Sequence, residues 1–401
     1  MMGRAWTDSG HRLSKAVCGP DGHTEENQWA RPSFKKTFYL NTIGYRLTLV
    51  ACLLHHLGIA QNEEVRDTLP DSPRAQYIEE YNDHILIQAG LSNRSLNMFL
   101  FPRENGLTQF LEPVLYRPSV QNTISLGASF KGFGLAFGFK LNQNPLIGAQ
   151  QGESDYMDFR VVSYGRKIGY DFYFQQYTGY FINNLNDFFE VGLSGTTRRR
   201  RDDIRLKNYS ANVYLIARPE RFSYRAAFVH DERQLQNAGS LLLTASLGYF
   251  SAVGDSPLVP EDTDIDFDPN SLYSDTQFYT FSLIPGYAYT LVSPKGYYAN
   301  LSASGLAGIH YFEATSELLD DRGVNYFLKG ILRASAGFAN DTWVIRVAGS
   351  TDIQGLNTRN IQFQTHNLDL SLLVAYRIPT NWLKGKKSLI SLKKEQPGEL
   401  P

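Results

Sequence analysis

YYANLSASGLAGIHY, residues Tyr297 to Tyr311, sorts into two rows when its side chains are taken alternately. Tyr297, Ala299, Leu301, Ala303, Gly305, Ala307, Ile309 and Tyr311 form one row, apolar and closed at both ends by tyrosine. Tyr298, Asn300, Ser302, Ser304, Leu306, Gly308 and His310 form the other, which is largely polar or small. Side chains alternate across a strand, so this is a strand with one oily and one wet face. At about 3.3 Å per residue the apolar row spans roughly 46 Å, and a tilt of 35–45° lowers its height to about that of a bilayer with its interfaces. Tyrosines at both ends match the aromatic girdles of a membrane barrel.

The pattern recurs outward from there. Leu368, Leu370, Leu372, Val374 and Tyr376 oppose Asn367, Asp369, Ser371, Leu373, Ala375 and Arg377. Lys329 and Arg333 share a parity opposite Leu328, Leu332, Ala334 and Phe338, and Arg346 stands opposite Trp343, Ile345 and Val347. Burying such charges in a soluble sandwich is expensive unless they are paired, whereas a wet lumen lowers the cost. Pro285 marks a bulge or break in the strand around it. The expected fold is therefore all-β: a transmembrane antiparallel β-barrel of about twelve strands. A soluble β-sandwich explains the alternation but neither the aromatic ends nor the polar rows.

Thirteen strand candidates lie near 84–101, 117–131, 133–141, 156–164, 167–182, 205–219, 221–234, 239–253, 275–291, 296–313, 323–339, 341–355 and 360–378. A closed bacterial barrel takes an even number, so one is in excess. Suspicion falls on 158–182, where Gly165-Arg166-Lys167 is either a tight turn or a bend in one long strand. With thirteen strands, short and long connections do not alternate cleanly.

The chain has 401 residues, 39 basic and 40 acidic side chains, and 13% aromatic residues. This balance excludes a protein that coats nucleic acid through bulk positive charge and gives no support for global disorder. No apolar run reaches the roughly 20 residues of a membrane helix. Residues 35–61 resemble a secretory signal, with Lys35 and Lys36 before the apolar Leu47–Leu54 and small residues at Gly58-Ile59-Ala60. Cys18 and Cys52, the only two cysteines, lie upstream of that cleavage point. Acylation at Cys52 is the competing processing route. The organisation expected is an extension with signal over 1–60, a short periplasmic arm over 61–83, the barrel over 84–378 and a basic tail over 379–401.

FSYRAAFVHDERQLQNAGSLLLTASLGY at Phe222–Tyr249 and DFRVVSYGRKIGYDFYFQQYTGYF at Asp158–Phe181 resemble the DUF4421 family, found chiefly in Bacteroidetes. The resemblance covers about residues 75–380. It implies an exported β-strand protein and carries no assigned reaction.

His230-Asp231-Glu232 has the residue types of a metal or proton-transfer site, and Ser240 with His230 those of a lipid hydrolase. Adjacent strand residues point to opposite faces, so a hydrated turn or structural network is favoured, and no catalytic, cofactor or metal set is assigned. The residues expected in a lumenal or structural network are Arg225, Glu232, Arg233, Gln234, Lys329, Arg333, Arg346, Asp369 and Arg377. Arg198–Arg201 reads as a charged loop. The functional expectation is an outer-membrane barrel for passage or binding of a small polar or anionic solute, with a structural or assembly scaffold and a lipid-modifying hydrolase as alternatives. Expected partners are outer-membrane lipids and the export and barrel-assembly machinery, with no nucleic acid, and the chain is expected to be a monomer.

Overall fold

A computed structural model describes residues 72–380, apart from 105–106, 110–112, 121, 132, 142–150, 184–199, 261–266 and 318–319. The signal-like segment, both cysteines and the basic tail lie outside the described residues. Sixteen strands follow in order: β1 (Ile78–Glu80), β2 (His84–Glu104), β3 (Leu107–Thr108), β4 (Val114–Arg117), β5 (Thr123–Phe130), β6 (Phe133–Lys140), β7 (Asp155–Tyr164), β8 (Ile168–Ile182), β9 (Arg200–Ile216), β10 (Glu232–Gln234), β11 (Ala238–Val253), β12 (Asp275–Val292), β13 (Tyr297–Thr315), β14 (Asp320–Ala339), β15 (Trp343–Asn357) and β16 (Ile361–Pro379). One short helix, α1 (Tyr224–Phe228), lies between β9 and β10.

The strands close on themselves. From β8 the ladder runs through β9, β11, β12, β13, β14 and β15 to β16, which pairs with β2 over its whole length, from Ile361↔Pro102 to Pro379↔His84. Two routes lead from β2 back to β8. The short one passes through β4 and gives a ten-stranded circuit; the longer passes through β5, β6 and β7 and gives twelve. All pairings are antiparallel, and the chain folds as a transmembrane antiparallel β-barrel. Among the described residues no helix is long and apolar enough to cross a membrane.

The excess candidate was not 158–182, which is a genuine hairpin of β7 and β8 with Gly165 N donating to Ile168 O at its turn. It was 221–234, which leaves the wall and contributes only α1 and the short β10. Removing it leaves twelve wall strands. The turns after β5, β7, β12 and β14 lie at one end with both ends of the barrel sequence, and the connections of β6–β7, β8–β9 and β11–β12 lie at the other. Connection length still does not sort by end: the long β9–β11 connection lies at the turn end and the short β15–β16 connection at the loop end.

The two rows of β13 face as the alternation predicts: Tyr297, Leu301 and Ile309 are exposed, while Asn300, Ser302 and His310 are buried. Phe174, Tyr209, Tyr249, Tyr279 and Tyr311 make a continuous ring belt across five strands at the loop end, with centroids 4.4, 5.7, 5.1 and 6.4 Å apart in sequence around the wall. Tyr297–Phe338 and Trp343–Tyr376, at 5.5 and 4.8 Å, occupy the turn end. The β12–β13 ladder lapses between Ser282↔Gly308 and Gly286↔Ser304, across Pro285, which has no N–H to donate.

The interior is layered. At the loop end, inward residues are apolar: Phe250, Phe278, Phe312, Phe327 and Phe363 pack with Leu96, Met98, Tyr116 and Tyr180. The β11–β12 connection folds onto them through Leu258, Val259 and Tyr273, with Tyr116 Oη donating to Leu258 O at 2.7 Å. Ion pairs fill the middle, and a folded segment closes the turn end.

Candidate functional site

That segment begins at Ser223, whose hydroxyl caps α1 by accepting from Ala226 N at 2.9 Å. Two residues past the helix His230 takes a positive φ of 67°, which reverses the chain and delivers Asp231 and Glu232 to the interior. A helix end leaves its last carbonyls without intrahelical partners. Here the wall supplies them. Ser335 Oγ donates to Ala227 O at 2.9 Å, Arg346 Nη1 to Phe228 O at 2.7 Å, Ser129 Oγ to Val229 O at 3.3 Å, and Arg377 Nη2 to His230 O at 2.8 Å. Tyr224 Oη meets Ser302 Oγ at 3.1 Å. The segment is a plug seated on β5, β13, β14, β15 and β16.

Glu232 locks it from the other side. Both its oxygens accept from Arg74 Nη2 at 2.9 Å, Arg225 Nη1 lies 3.0 Å away, and Ser223 Oγ donates to it as well. Arg225 also binds Asp231 at 2.8 Å, and Arg74 binds Glu80 at 2.8 Å. Gln234 accepts from Ser223 N at 3.0 Å and pairs in register with Ile78, which ties the 72–83 arm to the plug. Arg233 alone of these four points to the surface, toward Glu79 and Asp341. Arg377 lies 4.0 Å over the Tyr81 ring and donates to Asn340 O.

His230 is fully buried. Burial, followed by the charges of Arg346 and Arg377, holds its imidazole well below the ordinary 6.5, so the ring is neutral. Its Nε2 lies 3.3 Å from Arg346 Nη1, an acceptor position that leaves the ring proton on Nδ1. Ser240 Oγ is engaged with Arg218 N and Leu241 O, so the hydrogen bonds of the serine and histidine lead to other residues and form no dyad. Among the described residues no group of three or more potential ligands gathers for a metal.

Above the plug the predicted basic residues separate in role. Lys329 is neutralised by Asp352 at 3.2 Å and donates to Ser246 at 2.9 Å. Arg333 binds Asp171 at 2.7 Å and both Tyr164 and Tyr214 hydroxyls. Asp171, with no exposed side-chain surface, also takes Arg160 at 2.9 Å. Arg94 and Arg160 converge on Asp369 at 3.4 Å each, and Arg94 reaches Asp158 at 3.3 Å. Arg346 has no carboxylate ion pair among the described residues, and its Nε makes no hydrogen bond.

Arg94, Arg160, Arg333 and Arg346 line a cavity of about 120 Å³ between plug and wall, with Asp369, Ser92, Ser125 and Ser350. Four guanidinium groups face three carboxylates even when Asp158 and Asp171 are counted with Asp369. The excess positive charge sits on Arg346. Arg94 and Arg160 escaped the sequence reading of this network; their inward parity was the available signal, but only closure of the barrel brings β2, β7 and β14 together.

A closed wall, girdles at both ends and a charged interior define a membrane-spanning barrel of the outer-membrane type. The chain belongs to the family described as Domain of unknown function (DUF4421), whose profile matches residues 66–378. No curated protein matches the sequence. Among solved structures the chain is similar to the Escherichia coli outer-membrane protease OmpT, at 9% identity and a TM-score of 0.36, over 74% of this chain and 97% of that one. It is also similar to the Pseudomonas putida toluene transporter TodX, at 7% identity and a TM-score of 0.25, over 74% and 90%. Ail of Yersinia pestis, in complex with the heparin analogue sucrose octasulfate, matches at 8% identity and a TM-score of 0.18, over 73% and 99%.

Proposed function

We propose that the protein resides in the outer membrane as a monomer and binds a small anionic or polar solute within its lumen, rather than passing it freely. The cavity lined by Arg94, Arg160, Arg333 and Arg346 carries this reading. A half-buried guanidinium such as Arg346 without a carboxylate partner is costly, and an anion with planar or tetrahedral oxygens offsets that cost through charge-assisted hydrogen bonds. Free passage fits less well, because the plug occupies the turn end and the apolar layer around Phe278 and Phe363 occupies the loop end. Export through a leader and insertion by the barrel-assembly machinery belong to the same proposal.

The test pairs two measurements on refolded full-length protein. Titration with inorganic phosphate should show saturable binding that Arg346→Gln weakens by about tenfold, the worth of one charge-assisted hydrogen bond. Planar bilayers should show no steady open-channel conductance. Stable anion-selective conductance would return the reading to passage, and folded protein without anion binding would defeat it. A filled lumen also suits a scaffold, and stoichiometric crosslinking to one protein in intact cells, together with absent anion binding, would favour that alternative.

A further inference from the structure

The wall beside the arginine cavity is incomplete. β6 and β7 are neighbours, yet their ladder holds only three pairs, Phe133↔Ser163, Gly134↔Val162 and Leu135↔Val161, all at the turn end. Continued in register, Phe137 would face Phe159; the ladder stops short of them, while their rings stay 6.4 Å apart, the spacing of the in-register Tyr279 and Tyr311. β5 leaves β2 at Ser92↔Thr123. Nearer the loop end β4 bridges β2 directly to β8, at Met98↔Tyr116 and Tyr116↔Ile182, so the barrel is closed there on an inner route. Between the last β6–β7 pair and that bridge is a window on the loop-ward half of the wall.

The cavity borders this window. Leu135 pairs in register with Ala128 and therefore belongs to the row that faces outward with Leu126 and Phe137. It nevertheless lines the cavity together with the inward Arg160 and Val162 of β7 and Ser125 and Ser129 of β5. Leu135 and Val161 form the last β6–β7 pair, so the cavity borders the wall where that ladder stops. The surface at that point is apolar, with Leu126, Phe137 and Phe139 all exposed. In a bilayer an interrupted ladder faces hydrocarbon, where backbone groups find no water.

We infer that the cavity receives the phosphate-bearing head of a lipid-like amphiphile, which enters sideways through the β6–β7 window from the outer leaflet. This rests on the cavity being an anion site and names its occupant. Charge and size agree. Arg346, without a carboxylate partner, and Arg94, Arg160 and Arg333 meet an anionic head. About 120 Å³ is far below the ~300–1,000 Å³ of a site that encloses a whole organic ligand, so the remainder of the molecule lies outside, along Leu135 and Phe137. Nothing covalent happens to it there; the barrel holds it.

The test uses full-length protein with Cys18 and Cys52 changed to Ser, in nanodiscs, and three probes: oleoyl lysophosphatidic acid, inorganic phosphate and monooleoylglycerol. The lysophospholipid should bind at least about tenfold tighter than either other probe, because only it combines the charge with buried methylenes. Arg346→Gln should weaken it by about tenfold. A disulfide between Phe137→Cys and Phe159→Cys should slow its entry by about tenfold or more, with reduction restoring the rate. If the pair does not oxidise, Leu135→Trp fills the same opening and should have the same effect. Phosphate binding as tightly as the lysophospholipid, or entry indifferent to both window variants, would overturn lateral entry while leaving the anion site standing. Folded protein that binds neither phosphate compound would remove the anion site and this inference together.

Discussion

Glu232→Gln isolates the lock of the plug. The Glu232 side chain has no exposed surface and receives two arginines and a serine. Glutamine keeps the shape, but it loses the charge and turns an N–H₂ toward the donors of Arg74 and Arg225. Removing one partner of a buried ion pair costs about 3–5 kcal/mol. Arg74 keeps Glu80 and Arg225 keeps Asp231, which places the effect near the lower bound. About 3 kcal/mol raises the released population by roughly 10²-fold. The strand ladders are untouched, so the barrel should still migrate as a folded species on an unheated gel. The assay is limited trypsinolysis, followed by mass spectrometry of the fragment cut after Arg225, a residue only 1% exposed. When reclosing outpaces cleavage, the rate reports the open population. Cleavage after Arg225 no faster than in the parent, in a folded E232Q barrel, would refute the lock.

Arg233→Ala provides the contrast: its pairs with Glu79 and Asp341 are solvated, so the same assay should change by less than about 1 kcal/mol. Acid should loosen the plug through His230. Its folded pKa lies below the ordinary 6.5, so the released state binds the extra proton; the stabilisation is complete above pH 6.5 and is lost as pH falls below it. Arg225 cleavage, normalised to a peptide substrate at each pH, should therefore rise between pH 7.5 and 5.5, and His230→Asn, which tolerates positive φ, should flatten the rise. Burial raises the pKa of Glu80, but the Arg74 hydrogen bond and the Arg166 and Arg74 charges outweigh it and hold the group below 4.5, so its own loss falls at lower pH. On the lipid face Leu332→Arg, opposite Ala303 and near the midpoint between Tyr297 and Tyr311, should cost about 2–4 kcal/mol, read as a lower urea midpoint for unfolding in bilayers. An unchanged midpoint would mean that this row does not face hydrocarbon.

The period of two in Tyr297–Tyr311 and Asn367–Arg377 determined the strands, their faces and the membrane-barrel class, because alternation is a local property that every residue of a strand displays. Lys329, Arg333, Arg346, Asp369 and Arg377 were readable as inward for the same reason. Local pattern misled at 221–234, where YRAAFVH alternates poorly and a cap at Ser223 makes a helix; its role as a plug depends on Ser129, Ser335, Arg346 and Arg377, which come from four distant strands. The apolar cap at the loop end was hidden too, since an inward Phe278 or Phe363 looks in sequence like a lapse in polarity. Only closure decided which carboxylate each arginine meets, that Arg346 meets none among the described residues, and that the β6–β7 ladder stops beside it. Those facts depend on which strands become neighbours across the lumen, and strand periodicity carries no information about neighbours that far apart in the chain.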